Sequence, residues 1–454
     1  MSKNDEKKHW INWLVPALLI IIAIAVFVFF PSPNTEEKES PPSLTTAVKE
    51  DNAGAFSALD ISNSLISTYF YGSDIDKKEQ QQALENTITH LQALNTIDTQ
   101  NTLSEFNKNN INSAIQFLIT MANQQENWRE SAKTWVNIGN IQNLTSAQQA
   151  LQAYKKASEL DPNNSNAWNR QGHIHRQLKQ FDQAEIAYKK VQALNNKSSN
   201  NTAFSLANFG LLSESKGDHE EAEKAFLQAL EIYSMNNSDS GIASTSENLA
   251  SLYKNAGQFD KSEKYYLSAL EIHQKLERPQ NLATTHSALG SLYQKMKRSN
   301  KALTHYEKAL EISLNNNFKG NIASLYSNLG ILAQQNGKLE KSKEYFEKSL
   351  ELNKDIKRSN GTADQYGNLA ILNRNQKKYA IAEDYHNKAI EIYRENKHAD
   401  GIVSQQINLG FLYKTMKKTA KACDTWQKAL GNIQQDNNNR QQRIEKLILG
   451  NCNN

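Results

Sequence analysis

Residues 247–270 read ENLASLYKNAGQFDKSEKYYLSAL, and residues 407–430 read INLGFLYKTMKKTAKACDTWQKAL in the same register. Both stretches contain a small residue within an apolar run, and this small residue recurs at intervals of forty: Gly210, Ala250, Gly290, Gly330, Ala370 and Gly410. A fixed period of this size predicts a stack of supersecondary units, so fold and function are both best argued from the repeat.

Each unit carries the apolar spacing of two helices. Leu249 and Tyr253 are four residues apart, and Tyr266 and Ala269 are three apart, which is helical rather than alternating spacing. Gly257 separates the two runs and breaks the pattern. We therefore predict a helical hairpin in every unit. One such hairpin cannot bury enough apolar surface to fold alone, so the units must stack.

Three further positions complete the frame. We expect the small residue to allow a close crossing of the second helix. A second small residue, twelve places later, is its counterpart on that helix. A bulky residue four places further on should fill the space between neighbouring hairpins. The counterparts are Ala222, Ser262, Ala302, Ser342, Ala382 and Ala422, and the bulky residues are Phe226, Tyr266, Tyr306, Phe346, His386 and Trp426.

This frame resembles the tetratricopeptide repeat. Two further units upstream carry it, one with Trp168, Gly172, Phe181, Ala184 and Tyr188, the other with Trp135, Gly139, Ala150, Tyr154, Ala157 and Pro162. The resemblance implies an all-α superhelical solenoid of about eight repeats over residues 130–433. Ordinary units have about 34 residues, whereas the six later copies have forty. The longer form is similar to the repeats of kinesin light chain and of many bacterial tetratricopeptide-repeat proteins.

Composition narrows the function classes. The formal net charge is +4, and basic and acidic residues are mixed along the chain, which argues against the concentrated basic stripe of a nucleic-acid interface. The two cysteines, Cys423 and Cys452, have no metal-ligand spacing and cannot form a disulfide framework. A single bridge that fastens the tail to the last hairpin is conceivable, but the preferred interpretation is two unrelated thiols. We expect no cofactor.

The N-terminus contains an apolar segment. After a short region of residues 1–13, the run from Leu14 to Phe30 is uncharged, with Trp10 and Trp13 at its leading edge. Its length is near the lower limit for a membrane span, and tryptophans are typical of the bilayer interface. A cleaved signal peptide is the alternative, but the run ends in VFVFFPSP without a small-x-small cleavage site. We interpret residues 14–30 as an uncleaved transmembrane signal anchor.

The charges that flank this span predict its orientation. Lysines precede it and acidic residues predominate after it, so the positive-inside rule places the N-terminus in the cytoplasm and the solenoid outside it, in the periplasm of a Gram-negative cell. Residues 31–54 are rich in Pro, Ser and Glu and form a spacer.

Two helical segments flank the repeats. Residues 55–129 have a helical pattern without the full frame, so they form either a degenerate repeat, with Ala114, Leu118 and Met121 on its second helix, or a few helices that cap the solenoid. Residues 434–454 contain the amphipathic sequence RQQRIEKLILG and predict a C-terminal capping helix and tail.

A candidate binding surface follows from the repeat. The residue two places before the small residue is here called the ladder position. It is Ala288 in the copy that contains Gly290 and an asparagine in the other five copies: Asn208, Asn248, Asn328, Asn368 and Asn408. An amide both donates and accepts, which suits the backbone of an extended peptide. The resemblance implies that first helices line the concave groove and that such asparagines bind peptide there.

Nearby residues give this groove its character. Lys254, Arg374 and Lys414 lie six places after their ladder positions, and the residues next to the small position change from Ser251 and Ser291 to Ile331, Ile371 and Phe411. A partner segment with an acidic residue beside an apolar one would fit the C-terminal repeats. The lysines and arginine are alternatively solvated helix faces. The Lys/Asn/Lys/Arg set with which some tetratricopeptide repeats bind a terminal carboxylate is not found in register.

Catalytic motifs are not found. His173 and His175 are two residues apart on a predicted helix and point to different faces, which disfavours a shared metal. His386 replaces an aromatic residue of the frame and is interpreted as a core histidine. We predict that the chain is not an enzyme but a membrane-anchored protein–protein interaction scaffold that binds an extended polypeptide segment. The alternative is a regulatory or co-chaperone subunit of a membrane or envelope enzyme complex, with contacts through residues 55–129.

Overall fold

The computed structural model describes residues 58–69, 74–108, 110–194, 198–433 and 438–452. Phe56–Asn454 form one compact unit. The anchor predicted at Leu14–Phe30 and the spacer 31–54 lie outside the described residues. Within the described ranges, the chain contains 21 helices and no strand. None of these helices combines the length and apolar character needed to cross a membrane.

The helices, numbered in chain order, have the following bounds. Before the repeats come α1 (Ala58–Tyr69), α2 (Asp74–Leu94), α3 (Ile97–Asn107) and α4 (Ile111–Gln124). The repeats contain α5 (Trp128–Gln142), α6 (Ala147–Leu160), α7 (Ser165–Gln177), α8 (Phe181–Leu194), α9 (Asn200–Lys216), α10 (His219–Met235), α11 (Asp239–Asn255), α12 (Phe259–Lys275), α13 (Pro279–Lys295), α14 (Ser299–Asn315), α15 (Lys319–Gln335), α16 (Leu339–Asp355), α17 (Ser359–Asn375), α18 (Tyr379–Glu395), α19 (Ala399–Thr415) and α20 (Thr419–Gly431). The last helix is α21 (Asn438–Cys452).

Successive helices from α5 to α20 pair as eight antiparallel hairpins, repeats one to eight, and each hairpin packs against the next. Every helix from α9 to α19 has 17 residues. The residues by which these repeats exceed the usual length of about 34 are therefore helical, as the longer form predicts. The all-α solenoid expected from the sequence is the observed fold.

Turns of one type separate these helices. A residue with positive φ stands every twenty positions: Gly217, Asn237, Gly257, Glu277, Lys297, Asn317, Gly337, Lys357, Lys377, Lys397 and Lys417. After α13 the amide of Lys297 donates to the carbonyl of Gln294 at 3.0 Å, and the amide of Arg298 donates to that of Tyr293 at 2.8 Å. This is the bonding of a left-handed helix C-cap. The forty-residue period is therefore two twenty-residue halves, each a helix and a short turn.

The small residue of the frame packs against an aromatic ring of its own hairpin. A Cβ atom added to Gly330 would lie 2.5 Å from Cε1 of Phe346, and one added to Gly290 would lie 2.6 Å from Tyr306. The rings also contact the next hairpin, since Phe346 is buried in one cluster with Leu369 and Leu372. They therefore fill the space between hairpins, as predicted, and in addition pack on the small residue of their own hairpin. Where the small residue is Ala370, the bulky residue is the smaller ring of His386.

Neighbouring hairpins are joined by a second, polar contact. The hydroxyl groups of Tyr253, Tyr293 and Tyr413 each donate to a glutamate thirty residues earlier, Glu223, Glu263 and Glu383, at 2.6 Å. Repeats six and seven have Ala333 and Asn373 in place of the tyrosine, and the residues thirty positions earlier, in repeats five and six, are Leu303 and Lys343 in place of the glutamate. The two positions therefore change together, as expected for a half-buried polar pair in which a lone partner would be left unsatisfied.

The C-terminal helix α21 packs on repeat eight. Ile444 is fully buried in a cluster with Leu409 and Trp426, so α21 covers the last repeat, as a capping helix should. Cys423 of α20 and Cys452 of α21 form a disulfide with their Cα atoms 5.7 Å apart. The interpretation of two unrelated thiols is therefore wrong, because α21 brings the tail back onto α20.

The N-terminal helices pack on repeat one. Helices α3 and α4 form an antiparallel pair, and α4 packs against α5. Ala114, Leu118 and Met121 of α4 are buried in the cluster that joins these helices to repeat one. This arrangement is a hairpin stacked before the first repeat, and it has the geometry of the degenerate repeat considered above.

Candidate functional site

The ladder asparagines separate into two groups. Asn328, Asn368 and Asn408 lie on α15, α17 and α19, and all three line one cavity of about 320 Å³. Asn208 and Asn248, on α9 and α11, do not line it. The ladder positions of repeats six to eight therefore share one open surface.

Hydrogen bonds within the cavity leave part of this surface unpaired. The Nδ2 group of Asn368 donates to Ser327 Oγ at 3.3 Å and to Gln365 Oε1 at 3.2 Å, while Gln365 Nε2 donates to Ser327 Oγ at 3.1 Å. In the part of the chain that the structure describes, the amides of Asn328 and Asn408 form no hydrogen bond with another protein group. These two half-buried amides are available to a ligand.

The predicted cations lie elsewhere. Lys254, Arg374 and Lys414 do not line the cavity. The Lys414 ammonium donates to Asn451 of α21, so the capping helix engages it. Burial, with the nearby charge of Lys295, lowers the pKa of the Lys254 ammonium.

The charged residues that do line the cavity are Arg358 and Asp364. The Arg358 guanidinium donates to the carbonyl of Gly320 at 3.1 Å, and Asp364 accepts a short hydrogen bond from the hydroxyl of Tyr393. Sequence reasoning missed both residues because it followed one offset within the repeat, whereas the cavity also collects residues from the turn between repeats and from the start of α17.

Three histidines singled out in the sequence lie in distinct environments. His175 Nδ1 lies 2.6 Å from Gln180 Oε1, whereas His173 Nδ1 lies 3.3 Å from an Arg176 nitrogen, so the two rings have different partners. Among the described residues, no group of three or more His, Cys, Asp or Glu is arranged to hold a metal. His386 is fully buried, with Nδ1 2.9 Å from Gln405 Oε1. Burial lowers the pKa of its imidazole to about 4.

The N-terminal end of the ladder is covered by the chain itself. Asn137, the ladder position of repeat one, accepts a hydrogen bond from Thr87 Oγ1 of α2 at 3.2 Å, and Asn140 donates to the same oxygen at 2.9 Å. Gln81 of α2 also exchanges hydrogen bonds of 3.3–3.4 Å with Gln280 of α13. Helix α2 therefore lies on first-helix residues of repeats one and five.

The tetratricopeptide repeat family model matches residues 164–235, 241–315 and 321–395. The chain belongs to the tetratricopeptide repeat family. Comparison with curated proteins finds no match.

Three solved structures are similar to parts of this tetratricopeptide-repeat chain. BtubC (BKLC) from P. vanneervenii is 26% identical over 52% of this chain and 94% of its own, with a TM-score of 0.41. A signal transduction ATPase with a tetratricopeptide repeat sensor from Pyrococcus horikoshii is 18% identical, with a TM-score of 0.52, and the alignment covers 71% of this chain and 52% of that protein. The apo form of RapI is 18% identical over 59% of this chain and 98% of its own, with a TM-score of 0.47.

Proposed function

We propose that this chain is a membrane-anchored interaction scaffold that holds an extended segment of a partner polypeptide against the first helices of repeats six to eight. The observation that carries the proposal is the common cavity of Asn328, Asn368 and Asn408, in which two amides have no partner among the described residues. Each residue of an extended peptide presents one backbone donor and one acceptor, and a primary amide satisfies both.

Side chains beside the ladder indicate which kind of partner segment would bind. Ile331, Ile371 and Phe411 are half-buried three residues after the three cavity asparagines. Arg358 brings a positive charge to the same cavity, whose other charged residue, Asp364, already accepts a hydrogen bond from Tyr393. A segment that combines apolar side chains with a carboxylate would bury the former and pair the latter. The expected partner is therefore a protein with an exposed, extended, acidic and apolar stretch.

The proposed location is the outer side of the cell membrane, with Leu14–Phe30 as the anchor and the N-terminus in the cytoplasm. The disulfide between Cys423 and Cys452 supports this location, because disulfides persist in oxidising compartments such as the periplasm and are rare in the cytosol. A reporter enzyme that is active only outside the cytoplasm, fused after Asn454, should be active. A silent reporter would reverse the proposed topology.

The groove is tested by replacing Asn328, Asn368 and Asn408 together with alanine. If each amide contributes about 1 kcal/mol of net hydrogen bonding, affinity for the partner falls roughly 100-fold. Thermal unfolding should change little, because two of the three amides make no bond within the described protein. Capture of partner from solubilised membranes, followed by mass spectrometry, measures the effect.

The matched control is Asn315→Ala, which removes an exposed amide from α14, outside the cavity. This variant should capture the partner normally. Unimpaired capture by the triple variant would contradict the groove.

A regulatory or co-chaperone subunit is the second candidate. It is favoured by a separate cavity of about 600 Å³ lined by Phe117, Ile119 and Gln116 of α4 together with Gln142 and Gln149 of repeat one. Loss of the partner with Gln116→Arg, but not with the triple variant, would support this function instead.

A further inference from the structure

Two positions that are eight residues apart form a second pair that recurs from repeat to repeat, and repeat six, next to the groove, departs from it. The residue near the end of the second helix is Tyr233, His273, Ser313, Asn353 and Tyr393 in repeats three to seven, and the residue eight places later is Gly241, Asn281, Asn321, Gly361 and Gly401. Where the first residue is tyrosine, the second is glycine. Repeat six alone has the glycine without the tyrosine.

The intact pairs show why tyrosine needs this glycine. A Cβ atom on Gly241 would lie 2.3 Å from Cδ1 of Tyr233, and one on Gly401 would lie 2.5 Å from Cδ1 of Tyr393. Both rings therefore lie directly against the glycine backbone. In repeat seven the Tyr393 ring continues past Gly401, and its hydroxyl donates to Asp364.

In repeat six only an amide occupies this place. Asn353 is 3% exposed, and its Oδ1 would lie 2.3 Å from a Cβ atom on Gly361. Its Nδ2 donates to the carbonyl of Ser349 at 2.8 Å. Because that carbonyl can only accept, the amide nitrogen must face it. The remaining atom, Oδ1, is buried and has no hydrogen-bond partner in the part of the protein that the structure describes.

The space that a tyrosine would fill is continuous with the groove. Asn353 and Gly361 line the 320 Å³ cavity together with the ladder asparagines. Ser324 also lines it and stands forty residues before Asp364, the acceptor of the Tyr393 hydroxyl. The cavity thus combines a buried acceptor for a hydroxyl with an opening toward the peptide surface.

We infer that this cavity accepts a tyrosine side chain from the bound segment, with the ring in the cavity and the phenolic hydroxyl donating to Asn353 Oδ1. The inference rests on the proposed peptide-binding function and names the side chain that the groove selects. A buried acceptor without a donor costs free energy, and a tyrosine hydroxyl removes that cost whereas phenylalanine does not. A peptide with tyrosine should therefore bind roughly 10-fold more tightly than the same peptide with phenylalanine.

The experiment selects random heptapeptides displayed on phage against the immobilised full-length protein, and measures affinities of the enriched sequences as synthetic fluorescent peptides. Tyrosine should be enriched at one position, and its replacement by phenylalanine should weaken binding about 10-fold. Asn353→Tyr restores the pair present in repeats three and seven, so the chain's own ring fills the cavity and peptide affinity should fall at least 10-fold. The matched control Asn315→Tyr adds the same residue on an exposed helix face and should leave affinity unchanged.

A second variant protects the test from a folding failure. Asn353→Leu keeps the branched shape and the number of side-chain heavy atoms but removes the acceptor, so the preference for tyrosine over phenylalanine should disappear. The inference is overturned if the enriched peptides lack tyrosine and the Asn353→Tyr variant still binds them. If the triple alanine variant does not bind these peptides, the proposed peptide-binding groove is nevertheless supported. Equal enrichment by the wild type and the triple variant overturns both the inference and the proposed function.

Discussion

Removal of the bond between Cys423 and Cys452 should loosen only the C-terminal end of the solenoid. The two residues are 29 positions apart in sequence. Loop-closure entropy for a loop of this length corresponds to about 3.5 kcal/mol at 25 °C. The bond constrains α21 when that helix detaches, so its loss should make detachment easier by roughly 300-fold.

The assay is amide hydrogen exchange followed by mass spectrometry on the oxidised wild type and on Cys452→Ser. Amides of Asn438–Cys452 should exchange up to roughly 300-fold faster in the variant. Amides of α13 should not change, because each repeat contacts only its neighbours. The apolar contact of Ile444 keeps α21 docked in the ground state, so the helix should open more often without being lost.

The double variant Cys423→Ser/Cys452→Ser is the control, and it should match the single variant because either change removes the bond. The reasoning fails if α21 exchanges at the same rate with and without the disulfide. It also fails if the acceleration is spread evenly over all repeats, since that would mean that the solenoid opens as one unit.

Two further outcomes are expected. The pKa of His386 is about 4 in the folded chain and about 6.5 in the unfolded chain. The unfolded state therefore binds the proton first, and the free energy of unfolding falls as the pH drops from about 6.5 to 4, by about 2 kcal/mol between pH 7 and pH 5. His386→Tyr, which copies the Tyr266–Ala250 pair, should reduce this pH dependence when denaturant unfolding is measured at pH 7 and pH 5. Lys297 has a φ of 58° and an exposed side chain, so Lys297→Gly should stabilise the chain by about 0.5–1 kcal/mol in the same assay. Lys308→Gly, at an exposed position inside α14, should instead destabilise it by about 1 kcal/mol.

Most of the fold could be predicted because it is local and periodic. The small residues at Gly210 to Gly410 and their aromatic partners repeat at fixed offsets, and helical spacing within each half leaves little freedom in the hairpins. The direct packing of each ring on its own glycine was missed, because spacing along the chain does not distinguish a partner inside the hairpin from one in the next.

The candidate site could be predicted only in part. The ladder offset identified Asn328, Asn368 and Asn408, but it gave equal weight to Asn208, which is buried, and to Asn248, which lies outside the cavity. The signal that located the proposed tyrosine site was the repeat in which the tyrosine–glycine pair lacks its tyrosine. Asn353 before Gly361 is visible in the sequence, but its meaning depends on the contact that Tyr233 and Tyr393 make in the folded repeats.

The sequence by itself determined the architecture, because a forty-residue period with helical spacing is compatible with one kind of stacked hairpin and each hairpin touches mainly its neighbours. Only the tertiary structure decided which parts of the repeated surface are available. Contacts between residues far apart in the chain, such as Thr87 with Asn137 and Cys423 with Cys452, depend on how the end helices fold back. No local period encodes that return, since its energy comes from apolar and polar surfaces that meet only after the repeats have stacked.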